Sequence, residues 1–93
     1  MASLRMLKKD IEYLTGQVLE DSYFMIYFHP EKKDQAFEIM QAAADLRNEL
    51  FDKANSPAEK KNKSLVRKHY AQVRRDMFSG VDALFEKLSK IGK

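Results

Sequence analysis

Acid–base or metal chemistry in a chain this small would start from histidine, and only His29 and His69 are available. Ile26 and Val66 stand three residues before them, so the Glu-x-x-His pairs of a di-iron bundle are missing, as is any His-Glu-x-x-His zinc motif. No arginine lies five to seven residues upstream of either histidine, which removes an Arg-x₄₋₆-His ribonuclease pattern. The absence of cysteine excludes a thiol nucleophile, a thiolate zinc site, an iron–sulfur centre and a disulfide framework. Gly16, Gly80 and Gly92 are isolated, so there is no phosphate-cradling loop, and no serine has His and Asp partners at motif spacing. Carboxylates are plentiful but spread over helix-surface positions, so acid chemistry would need acids that meet only in the folded chain. The expectation is a non-enzymatic protein with no catalytic residues, no metal, no cofactor and no small-molecule substrate.

Two other groups of residues have the composition of contact surfaces. The first is the run Tyr23-Phe24-Met25-Ile26-Tyr27-Phe28. Six consecutive helical residues point all round the axis, so one core cannot bury them all. The expected division puts Met25, Ile26 and Phe28 against the core and leaves the tyrosines at the rim. The competing arrangement makes this end of the helix a self-association surface of Tyr23, Phe24 and Tyr27. A short aromatic strand is discounted because no second strand-like segment exists to pair with it.

The second group is basic. Residues 60–75 hold Lys60, Lys61, Lys63, Arg67, Lys68, Arg74 and Arg75 with no acid, a local charge of +7 that leaves −4 for the remainder of the chain. Lys60, Arg67 and Arg74 are seven apart, as are Lys61, Lys68 and Arg75, which places two columns side by side opposite a Val66–Val73–Met77 stripe. Such columns suit nonspecific contact with nucleic-acid phosphates. The plainer expectation is a solvated face paired with acids of the second helix such as Asp45, Glu49 or Asp52.

The elements that must position these residues are helices. Leu4, Leu7, Ile11, Leu14, Val18 and Met25 recur at three- and four-residue spacing with a skip near Asp21 and Ser22. Ala36, Ile39, Met40, Ala43, Leu46, Leu50 and Ala54 form a second stripe, widened by Phe37, Ala44 and Phe51. A third runs from Leu65 through Val73, Met77, Val81, Leu84 and Leu88 to Ile91. Ser56-Pro57-Ala58-Glu59 reads as a capping box with proline at the first helical position. Pro30 starts the second helix more weakly, with His29 forced out of the helical region and available as a cap. Gly92 suits the cap at the other end of the third helix.

These marks predict helices near 3–28, 31–54 and 57–91, in one domain spanning 1–93. The fold expected is all-α, an antiparallel up-down-up three-helix bundle. The packed part of the third helix is expected to begin at Leu65. Gly16 and Gly80 lie at matching distances from their helix ends and could mark a close crossing of the first and third helices. Charges at Arg5, Lys8, Lys9 and Asp10 interrupt any secretory h-region, and the longest apolar run is far below a membrane span, so a soluble, cytoplasmic protein without a membrane partner is expected. Function is expected to lie in protein–protein contact, with a homodimer foremost and nonspecific nucleic-acid association as the alternative.

Overall fold

A computed structural model describes residues 4–56 and 62–92 of the chain. It contains α1 (Leu4–Phe28), a single 3-10 turn at Pro30–Lys32, α2 (Lys33–Asn55) and α3 (Lys63–Ile91), and no strand among the described residues. The three helices pack as an antiparallel up-down-up bundle, the architecture that three amphipathic segments with short connections require. Its principal extents are 51 × 19 × 17 Å and its radius of gyration is 15.2 Å, against about 12 Å for a compact domain of this length. The molecule is a rod.

Side-chain ties fix the register. Arg47 of α2 donates to Glu12 of α1 at 2.5 Å, and Arg74 of α3 donates to Asp10 of α1 at 2.8 Å. Lys53 of α2 reaches Asp76 of α3 at 3.5 Å. In this register the first turns of α3 project beyond both neighbours.

The core is a continuous column: Leu7, Ile11 and Val18 from α1, Ile39, Ala43, Leu50 and Ala54 from α2, and Val73, Met77, Val81, Leu84 and Leu88 from α3. It differs from the apolar stripes in three places. On α1 the buried positions include Thr15 and Ser22, whereas Leu14 is half-buried. Ser22 is therefore a core position and no skip. Each hydroxyl donates to the carbonyl four residues back, Thr15 to Ile11 and Ser22 to Val18, both at 2.7 Å, which removes the cost of burying it. Fully buried positions on α3 begin at Val73, with Tyr70 half-buried against the core, Val66 half-buried and Leu65 exposed, because the turns before His69 lie beyond the end of α2.

The third departure is the start of α3. Pro57, Ala58 and Glu59, and with them the capping box, lie outside the described residues. Asn62 is extended (φ −96°, ψ 102°), so no helix runs through it, and α3 starts at Lys63 instead of 57. The Asn62 side chain accepts from the backbone N–H groups of Ser64 and Leu65 at 3.1 and 3.2 Å, taking two of the donors that a helix start leaves unpaired. Ser56 ends α2, its N–H bonded to the Lys53 carbonyl.

The two glycines do not meet. A Cβ placed on Gly80 would lie 2.8 Å from both terminal carbons of Leu46, so Gly80 serves the α2–α3 contact. A Cβ on Gly16 would meet nothing within 4 Å. Gly16 sits on the outer side of α1, and the expected α1–α3 glycine crossing is absent.

Candidate interaction surfaces

The direction of the α1 core face decides what the aromatic run does. Leu7, Ile11, Thr15, Val18 and Ser22 define that face, and stepping on by three and four residues reaches Met25 and then His29. Met25 packs against the core as expected, while Ile26 is only half-buried at its edge. Phe28 lies to one side of this line and is 67% exposed, so its expected place in the core is corrected. Tyr23, Phe24 and Tyr27 are exposed by 69, 54 and 77%. Phe28 is held from outside: its ring stacks on Phe24 at 6.5 Å between centroids and meets Tyr27 edge-on at 5.2 Å.

Tyr23, Phe24, Tyr27 and Phe28, with Leu19 and Glu20, line one shallow apolar groove on α1. At about 200 Å² per aromatic side chain, the four rings leave roughly 500 Å² in water, as large as the largest patch on an ordinary monomer. The expected trio is thus brought together, and Phe28 joins it. Tyr13, 65% exposed and two heptads before Tyr27, lies on the same side of α1. Its place was legible only in the seven-residue series Met6, Tyr13, Glu20, Tyr27, a series that a search for core stripes passes over.

The basic columns are only partly open. Lys60 and Lys61 lie outside the described residues. Arg74 flanks the core and is held by Asp10 of α1. Arg75 is exposed and donates to Gln72 on its own helix at 2.8 Å. Arg67 and Lys68 are exposed and make no ion pair among the described residues. The expected latch onto acids of the second helix is corrected: Asp45 accepts from Gln41, Glu49 is bound by Lys53, and the cross-helix acid is Asp10. Between α2 and α3 the polarity is reversed, with Lys53 of α2 reaching Asp76 of α3. Lys53 has its pKa raised above 10.5, first by its hydrogen bond to Glu49, against a smaller desolvation effect, and then by the charges of Glu49 and Asp76.

Both histidines have structural contacts. His69 is half-buried, and its Nε2–H donates to the Lys53 carbonyl at 2.5 Å. A carbonyl can only accept, so that nitrogen carries the proton, and the Lys53 carbonyl in the last turn of α2 takes this bond beside the one from the Ser56 N–H. His29 makes no side-chain cap to the following helix, which corrects the expected role; its Nδ1 lies 3.5 Å from Glu31. The end of α3 gains a partner that the sequence did not reveal, for Lys32 in the 3-10 turn donates its Nζ proton to the Ile91 carbonyl. Gly92 follows with an ordinary helical φ of −70°, so that position makes no use of glycine's left-handed freedom.

Among the described residues no three His, Asp or Glu side chains are grouped to hold a metal, and no helix is long and apolar enough to cross a membrane. No known protein family matches the chain, and no curated protein or solved structure is significantly similar to it.

Proposed function

We propose that this chain is a non-enzymatic contact module of the cytoplasm that works by docking a protein, first of all another copy of itself, on the aromatic end of α1. The single observation that carries this reading is the packed cluster of Tyr23, Phe24, Tyr27 and Phe28, each more than half exposed. Leaving that much ring surface in water is unfavourable at about 25 cal/mol per Å², and a partner's surface removes the penalty. The non-enzymatic part rests on how the chemistry-bearing groups are used. His69 closes a helix end, and Asp10, Glu12, Glu49 and Asp76 each hold an Arg or Lys.

Site-specific photo-cross-linking from position 23, in the cell that makes the protein, tests the reading. A discrete protein adduct that disappears when Phe24 and Tyr27 are both changed to Ser supports it. A position that yields no adduct at any expression level overturns it.

A second reading, nonspecific phosphate contact with nucleic acid, draws on Arg67, Lys68 and Arg75, exposed on a stretch of α3 with no acid before Asp76. With three phosphates neutralised, the logarithm of the duplex affinity would fall with the logarithm of salt at a slope of about −2.7. Binding that is absent at low ionic strength removes that reading.

A further inference from the structure

We infer that the second copy lies antiparallel along α1, with a two-fold axis at Gly16. This rests on the contact reading above and specifies its partner and geometry. Gly16 is the midpoint of α1, with twelve residues of Leu4–Phe28 on either side. It is also the place on the outer face where a neighbouring helix could come closest, since even a Cβ would find nothing within 4 Å. A two-fold at that point lays two copies of α1 flush over their whole length.

The order of side chains on this face selects the direction. At 100° per residue, Arg5, Lys9, Tyr13, Glu20, Tyr23 and Tyr27 all fall within about 60° of the direction opposite to the core. All six are exposed. The cations Arg5 and Lys9 occupy the N-terminal end and Glu20, Tyr23 and Tyr27 the C-terminal half, with Tyr13 just before the midpoint. Antiparallel pairing about Gly16 therefore sets Arg5 level with Tyr27 of the second copy and Lys9 level with its Tyr23, cation over aromatic ring. Parallel pairing would put Arg5 against Arg5 and Glu20 against Glu20, which is repulsive. Glu12, level with Glu20 of the second copy, is turned aside onto Arg47.

The helix ends point the same way. The first turn of α1 has no acid, and its last turn has no base, so neither end of its dipole is compensated within the helix. In the antiparallel pair each positive end adjoins the other's negative end. Size is also adequate. Tyr13, Tyr23, Phe24 and Tyr27 of two copies present about 1,000 Å² of exposed ring, and the stems of Arg5 and Lys9 bring the total to roughly 1,200 Å², the lower bound for a stable interface.

The chain has no cysteine, so introduced thiols report without background. Sedimentation across a concentration series should show dimers, and changing Phe24 and Tyr27 to Ser should weaken them roughly tenfold or more. Gly16→Cys should form a disulfide-linked dimer with itself on mild oxidation. Arg5→Cys and Tyr27→Cys, each separately unable to self-link, should join through a short bismaleimide when mixed. Circular dichroism confirms that each variant is folded. A chain that stays monomeric throughout overturns the inference, and so does Arg5→Cys linking to itself. A dimer that needs Phe24 and Tyr27 yet gives neither expected link overturns this geometry while leaving the contact reading intact. A monomer whose position 23 still cross-links to another protein keeps that reading and removes the second copy as its partner.

Discussion

Thr15 and Ser22 place hydroxyls in the middle of the bundle without a partner on either neighbouring helix. Each bonds back to its own helix, and each is small. The Glu12–Arg47 tie sets them level with the Ala43 and Ala36 turns of α2, so small side chains face one another across that contact. Shape rather than polarity is then the important property. Thr15→Val keeps the volume and leaves the Ile11 carbonyl its ordinary helical bond, so stability should change by less than about 1 kcal/mol. Ser22→Leu should cost about 1–3 kcal/mol through overpacking. Thermal or urea unfolding of both variants checks the contrast, and a larger loss from Thr15→Val than from Ser22→Leu would contradict it. The same residues mark a limit of reading a sequence by apolar spacing. The stripe identifies Leu7, Ile11 and Val18, but a serine enters the core on size and a back-bond that hydrophobicity does not encode. Phe28 is the converse: apolar by type, exposed because the stripe turns past it to His29.

Helix existence and order were legible because 3.6-residue periodicity persists over many turns, and Pro30 lies where the chain leaves α1. The start of α3 was less so. Asn62 is as good a cap by type as Ser56, and local chemistry offers both; core packing, which begins only at Tyr70, does not choose between them. Between elements the ties are ionic and lateral, and Lys53 is the joint of α2 and α3, holding Glu49 and Asp76 while its carbonyl receives His69. Its pKa is raised above 10.5. The folded state therefore holds this proton more tightly than the unfolded chain, and the contribution is full below pH 10.5 and lost as pH rises through the folded value. The difference in melting temperature between the wild type and Lys53→Met should be constant from neutral to mildly alkaline pH and narrow above about pH 10.5. Because Lys53 is exposed, the difference should be small and reduced by salt. A difference that widens with rising pH would show that the proton is held less tightly in the fold.

At the scale of the whole molecule, the rod shape keeps an accessible surface of 6557 Å², about 1,000 Å² more than the ~5,600 Å² expected for a monomer of this mass. Pairing along α1 would cover about 500 Å² of ring surface on each copy, roughly half of that excess, and this links folding to association. If association covers the outer face of α1, melting temperature must rise with protein concentration, because a partner that binds only the folded chain stabilises it. Gly16 separates the two contributions. In the isolated bundle Gly16→Ala replaces the poorest ordinary helix former by the best, with open space for the methyl, so stability should increase by about 1 kcal/mol. In a chain of this size that corresponds to roughly 4–8 °C. At the two-fold axis the same methyl is duplicated on facing helices and holds them apart, so the dimer should weaken. The variant should therefore melt above the wild type in dilute solution and lose that advantage as concentration rises, the two curves converging or crossing. Gly80→Ala is the control, since its methyl strikes Leu46 inside the bundle and its effect should not vary with concentration. Parallel curves for Gly16→Ala and wild type at every concentration would mean that the outer face of α1 meets no second copy.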